Sequence, residues 1–226
     1  MVISQAVKIA RPVHWIKNLS LFAAILLTGT LFEKGLFLDV FWAFIAFNFA
    51  TSATYIFNDV LDVKQDRLHP TKKNRPIASG KLPIGFAVFE AIALSLFALF
   101  AALSLGNLFF LLVAGYLVMQ FLYSLGLKNL PIIDILIIAA GFIIRVYAGA
   151  FVINAHLSVW FLLCVISVAL FLASGKRRAE LNLLKETNEI TRTSLVRYKK
   201  ELLNSYVTML KSESIPPCVA FSGGTK

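Results

Sequence analysis

Cysteine and histidine are nearly missing from this chain. Cys164 lies inside an apolar run and Cys218 in a polar tail, which excludes a disulfide framework and leaves no thiolate metal spacing. His14, His69 and His156 are scattered and form no zinc motif. Charge is also scarce: 15% of the 226 residues are charged against 58% hydrophobic, with a mean hydropathy of +0.78. That balance excludes an ordinary soluble domain and fits a polytopic membrane protein. Acids are the rarer sign, 12 against 22 Lys and Arg, for a formal charge of +10. The cations cluster between apolar runs instead of covering a solvated surface. We therefore read them as membrane topology and phospholipid contact, and expect no nucleic acid. No short apolar core with a small-residue cleavage site precedes the first run, so an uncleaved anchor is expected in place of a signal peptide.

What the chain does have is long apolar runs, which hold most of its 20 Phe. Hydropathy predicts six spans, at about 17–32, 37–58, 83–105, 107–125, 132–153 and 157–174, each near the ~20 residues that cross a bilayer. The first is short and flanked by Lys17 and Glu33, so it is expected to be tilted or interfacial. Short connections such as Ser104-Leu105-Gly106-Asn107 imply antiparallel neighbours. The fold class is all-α, a polytopic transmembrane bundle. Residues 1–210 are expected to form one membrane domain, with a polar helical stretch over 185–210. Residues 211–226 form a polar tail, disordered or non-native. A homo-oligomer is left open.

The cations sort by loop parity. Lys8, Arg11 and Lys17 fall on one side, as do Lys64 to Lys81, Lys128, and everything from Lys176 onward; only Lys34 falls on the other. The positive-inside rule then puts the N-terminus and the loop after the second span in the cytoplasm, in a multi-pass protein of the cell membrane.

That loop opens with Asn58-Asp59-Val60-Leu61-Asp62-Val63-Lys64-Gln65-Asp66. Asp59, Asp62 and Asp66 are three and four apart and share one face of a helix. Three like charges together need a cation between them. Mg²⁺ suits them, taking one or two carboxylates and completing its shell from water and substrate phosphate. Arg67, Lys72, Lys73 and Arg75 follow within a few residues and suit the phosphate oxygens a metal leaves free. The turn Arg75-Pro76-Ile77-Ala78-Ser79-Gly80 lets backbone approach an anion. The pattern suggests chemistry on a metal-bound diphosphate whose partner substrate is a lipid.

Other positions carry two readings each. Arg145, inside the fifth span, is either functional or paired with an acid on another helix. It stands eleven residues after Asp134, on nearly the same helical face but ~16 Å along the axis. Asp134 serves the metal or caps its span. Tyr123 is an aromatic-belt residue or a substrate contact, and Lys128, alone in its loop, can reach a phosphate. Lys17 and Asn18 end an interfacial segment, Arg11-Pro12-Val13-His14-Trp15-Ile16-Lys17-Asn18, and belong to the anchor or to the site. Lys176, Arg177 and Arg178 are topology signals or anion ligands, and Glu180 is a helical neighbour of Lys176.

Taken together, Asn-Asp-x-x-Asp-x-x-x-Asp and the downstream Arg-Pro-Ile-Ala-Ser-Gly resemble the first signature of the UbiA prenyltransferase superfamily, over about residues 8 to 200. The resemblance implies a helical membrane enzyme whose carboxylates bind Mg²⁺–diphosphate and whose lipid substrate arrives through a side portal. Family members usually have nine transmembrane helices, so a C-terminally truncated chain is expected. Ordinary members carry a second aspartate-rich motif after the sixth helix, where this chain has Lys176, Arg177, Arg178 and Glu180. With Trp15 to Asn18 and Tyr123 to Lys128, this is similar to the decaprenyl-phosphate phosphoribosyltransferase branch, which serves cell wall biosynthesis. Its substrates, phosphoribosyl diphosphate and a polyprenyl phosphate, bring more negative charge than a prenyl diphosphate and a neutral acceptor, and extra cations offset it. The implied roles are Mg²⁺ binding for Asp59, Asp62 and Asp66, with Asn58 orienting the donor. Substrate contact is implied for Lys17, Asn18, Lys72, Arg75, Tyr123, Lys128, Arg145, Lys176, Arg177 and Glu180. The alternatives are an ordinary prenyltransferase acting on an aromatic acceptor, and an inactive or non-enzymatic membrane protein.

Overall fold

The computed structural model describes residues 2–130 and 132–187, with side chains at all of these except 2, 3, 34 and 180–187. The expected polar tail, and the 185–210 stretch beyond Thr187, lie outside the described residues. Those described are helical, without strands: α1 (Val2–Ala10), a 3₁₀ segment (Pro12–Phe22) running into α2 (Ala23–Leu27), α3 (Lys34–Leu61), α4 (Val63–Leu68), α5 (Ile84–Leu105), α6 (Asn107–Leu125), α7 (Ile133–Val152) and α8 (Val159–Thr187).

Among them five helices are long and apolar enough to cross a membrane: Gly35–Leu61, Ile84–Leu105, Asn107–Leu125, Ile133–Val152 and Val159–Ala179. These correspond to the second to sixth expected spans. The first expected span is a shorter apolar helix, Pro12–Leu27. Pro12 starts it in 3₁₀ geometry, and Gly29, at φ 73°, lies in the turn that follows it. Three-ten geometry rises ~2.0 Å per residue, so an 11-residue 3₁₀ stretch lengthens the segment without supplying a regular spanning helix.

The described residues divide into two compact units, those up to 125 with 144–155, and those from 126 to 143 with those from 156 onward. In the first unit α5 and α6 pack on α3. Ala43, Ala46, Ala50 and Ala53 stripe α3, and Ala87, Ala91, Ala98 and Ala102 stripe α5, all nearly or fully buried. Small residues at this spacing let backbones approach where lipid gives no hydrophobic drive to associate. Phe47 fills the centre, edge-on to Phe109 at 5.8 Å and tilted against Tyr116 at 5.6 Å. A second buried cluster joins Ile9, Ile56, Val63, Ile77, Leu82, Ala87 and Ala91. It fastens α1 and the 69–83 loop around the end of α3. In the second unit Ile135 and Ala173 anchor a smaller apolar contact between α7 and α8.

Candidate active site

The aspartate signature straddles a break in a helix. Helix α3 ends at Leu61 and α4 begins at Val63, with Asp62 at φ −87°, ψ 2° between them. Backbone bonds still cross the break, Asp62 N–H to the Asn58 carbonyl at 3.0 Å and Asp66 N–H to the Asp62 carbonyl at 2.8 Å. Asp59 and Asp66 are buried, only 3% and 4% exposed. One nitrogen, Arg75 Nη1, donates to both, to Asp59 Oδ1 at 3.0 Å and Asp66 Oδ2 at 2.6 Å. Arg11 Nη2 donates to both oxygens of Asp59 at 2.6 and 2.7 Å. Asp62 turns the other way along the chain, where Asn58 Nδ2 donates to its Oδ2 at 3.0 Å.

The acids were expected to converge on one ion. Among the described residues no three carboxylates, histidines or cysteines stand close enough to hold one. Guanidinium groups occupy that role, because buried carboxylates without counter-cations are costly and arginine offers a fork that matches them. The donor set still suits Mg²⁺: all oxygen, two acids already bridged by a single positive centre, and a third a helical turn away.

The loop behind α4 is built to present Arg75. The His69 ring accepts at Nδ1 from the Thr71 and Lys72 backbone N–H groups, at 3.3 and 3.4 Å, which folds the chain into the 3₁₀ turn at Lys72–Asn74. Lys72 itself is half-buried. Arg67 Nε donates to the Ala78 carbonyl at 3.3 Å, and the Leu82 N–H to the Pro76 carbonyl at 3.1 Å. Ile77 and Leu82 then plug the apolar cluster, so Arg75 is held between a helix end and a hydrophobic anchor.

The 3₁₀ segment lies along α3 through polar side chains. Trp15 Nε1 donates to Ser52 Oγ at 3.0 Å, and Lys17 Nζ reaches the Tyr55 hydroxyl at 3.4 Å. Asn18, fully buried, donates to Asn48 Oδ1 at 2.7 Å and accepts from Arg145 Nε at 2.5 Å. Arg145 also donates to the Tyr116 hydroxyl at 2.8 Å and lies 4.8 Å above that ring. Asn18 and Arg145 therefore meet in a buried network, and Lys17 is exposed at its edge. Tyr123 is half-buried near the end of α6.

In the second unit Arg177 and Asp134 form a salt bridge of 2.8 Å with both side chains fully buried. That guanidinium faces a carboxylate through its Nε and is fully buried, so contact with a phosphate requires its surroundings to open. Lys128 is buried in the 3₁₀ turn Leu127–Asn129, and Lys176 is exposed on α8. Glu180 continues α8, but its side chain lies outside the described residues.

Arg11 is the site residue that sequence reasoning counted only as a topology charge. Nothing local links it to Asp59, 48 positions later. Its sole sequence signal is an arginine directly before proline at the membrane face.

Residues 19–176 match the model of the UbiA prenyltransferase family. Over 214 residues the chain is 41% identical to a decaprenyl-phosphate phosphoribosyltransferase of Corynebacterium glutamicum, covering 90% of this chain and 62% of that protein. It is 37% identical to the protein of the same name from Mycobacterium tuberculosis, over 96% of this chain and 72% of the relative. The chain thus spans less than two thirds of the Corynebacterium protein. Its fold is similar to that of a UbiA homolog from Archaeoglobus fulgidus solved bound to DMAPP and Mg²⁺, with a TM-score of 0.78 and 18% identity, covering 98% of this chain and 79% of that one. This multi-pass helical membrane chain belongs to the UbiA prenyltransferase family.

Proposed function

We propose that the chain serves in an integral membrane transferase that moves a 5-phosphoribosyl group from phosphoribosyl diphosphate to a polyprenyl phosphate. The observation that carries this reading is 37% identity, sustained over 96% of the chain, to a protein named for that reaction. The site chemistry agrees with it. Two buried acids interleaved with Arg11 and Arg75 suit a metal-bound diphosphate.

In this reading Asp59, Asp62 and Asp66 would share in holding Mg²⁺ with phosphate oxygens of the donor completing its shell, since the three acids alone do not stand close enough, and Asn58 would orient the donor. Bound there, the ion neutralises charge that develops on the departing diphosphate. A phosphate oxygen of the lipid forms the new bond to the anomeric carbon as the bond to diphosphate breaks and the electron pair leaves with it. A phosphate monoester is already anionic at neutral pH, so no strong general base is required. Arg75 steadies the leaving group, and preorganised cations act most strongly where such charge appears. Lys17 and Lys72, in the same unit as the acids, would supply cations for the phosphate groups of the substrates. This reading has the acid–arginine cluster facing the cytoplasm, which the excess of Lys and Arg in its loop supports.

The test presents membranes containing the protein with labelled phosphoribosyl diphosphate and polyprenyl phosphate. A parallel reaction offers polyprenyl diphosphate and an aromatic acceptor. Mg²⁺-dependent label in lipid from the first pair is expected. Product from the second pair alone would replace this reading with an ordinary prenyltransferase.

A further inference from the structure

Asp59 already has more positive charge against it than one carboxylate needs. Arg11 spans both its oxygens at 2.6 and 2.7 Å, and Arg75 adds a third bond at 3.0 Å. Asp66 has Arg75 at 2.6 Å. A carboxylate offers about four lone-pair directions, so three are taken at Asp59 before any ion arrives. Arg75 has a second acid to hold and a loop that fixes it. Arg11 has Asp59 as its acid, and its side chain is 23% exposed.

The backbone at Arg11 is also particular. It sits at φ 51°, ψ 58°, the left-handed region that a residue before proline rarely adopts, at the joint between α1 and the 3₁₀ segment. Ser52 Oγ donates to the preceding Ala10 carbonyl at 2.8 Å, and buried Ile9 pins the end of α1. The α1 side of the joint is thus clamped, and Trp15 Nε1 holds the other side to the same Ser52 Oγ at 3.0 Å, while the guanidinium extends from the joint with its carbon 5.1 Å from the centre of the Tyr55 ring. A fixed backbone with a planar cation resting on an aromatic face can redirect its fork without moving a helix.

We propose that Arg11 is an exchangeable countercharge: it neutralises Asp59 while no metal is bound, then transfers its two N–H donors to diphosphate oxygens when the metal–diphosphate complex enters. This rests on the diphosphate-binding reading above. The consequence is a linkage of opposite signs. Arg11 competes with a bare metal ion for Asp59, so it weakens metal binding alone. It donates to the diphosphate, so it strengthens binding of the pair.

The test uses the full chain in detergent, with Mn²⁺ binding followed by electron paramagnetic resonance, with and without inorganic diphosphate. Wild type is expected to bind Mn²⁺ weakly alone and more tightly with diphosphate. Arg11→Gln is expected to bind Mn²⁺ alone about tenfold more tightly and the Mn²⁺–diphosphate pair about tenfold more weakly, the scale of one charge-assisted bond. A purely structural arginine would not improve metal affinity on removal. If both affinities move the same way, or neither moves, the proposal is overturned. Should Arg11→Gln fail to fold, Arg11→Lys keeps the charge but not the fork, and is expected to shift both affinities in the same two directions by smaller factors; wild-type values for both would overturn the proposal equally. If wild type binds no Mn²⁺ even with diphosphate, the diphosphate-site reading itself fails.

Discussion

Asp59 and Asp66 are buried acids whose charge is matched by arginine, and each half of that match depends on the other. Removing one partner leaves an uncompensated charge in a poorly hydrated place. Asp59→Asn and Asp66→Asn are expected to lower Mg²⁺-dependent transfer by at least about 10²-fold, the effect of deleting one preorganised charge contact. Label transfer per folded protein, with folding checked by size-exclusion profile, measures it; unchanged turnover in both would remove the chemical basis of the site. Arg177 and Asp134 allow a different argument. As a fully buried pair, their single mutants should be the damaging ones. Asp134→Ala is expected to cost about 3–5 kcal/mol, while Asp134→Leu with Arg177→Met recovers most of it. Thermal unfolding in detergent reports the stability, and transfer by the double variant reports whether the Arg177 guanidinium is needed for phosphate. A double variant that is stable but inactive gives Arg177 a role in the chemistry; one that is stable and active makes the pair structural.

At the scale of elements, α7 and the 3₁₀ segment approach each other closely at Gly149. A Cβ at Gly149 would overlap the Leu21 carbonyl oxygen and crowd the carbonyl carbon behind it, at 2.7 Å. Backbone cannot yield as a flexible side chain does, so Gly149→Ala is expected to cost about 1–3 kcal/mol, the usual penalty of overpacking. A thermal-shift assay checks it, and an unchanged melting temperature would contradict the close packing. The consequence reaches the site through the segment's polar bonds, since Leu21 is close in sequence to Asn18 and Lys17. The apolar runs made the elements themselves legible: expected spans at about 37–58 and 107–125 correspond to Gly35–Leu61 and Asn107–Leu125. The run at about 17–32 was legible as apolar and short, as the apolar helix Pro12–Leu27 is, but its 3₁₀ opening was not, because hydropathy reads composition and is blind to backbone geometry. Helical spacing likewise placed Asp59, Asp62 and Asp66 on one face of an unbroken helix, and could not register the break at Asp62.

For the whole molecule, the asymmetry of loop charge carries the argument. With Cys164 and Cys218 replaced, Ser79→Cys is expected to react with a membrane-impermeant thiol reagent only after the cytoplasmic face is opened, and Asn107→Cys from the opposite side. The reverse pattern would put the acid–arginine cluster on the face opposite to the one that the proposed function needs.

The chain's own composition determined that it is helical and crosses a membrane, because only closed hydrogen-bonding within a helix tolerates runs this apolar. The local order of residues also marked Asp59, Asp62, Asp66 and Arg75 as a group, since all lie within 17 positions. Tertiary structure alone decided which cations face which polar partners. Arg11 meets Asp59 across 48 residues, Arg145 meets Asn18 across 127, and Arg177 meets Asp134 between two helices. Pairing at that range follows from how helices pack, and packing depends on shape at every contact along the way, which no periodicity in a linear string records.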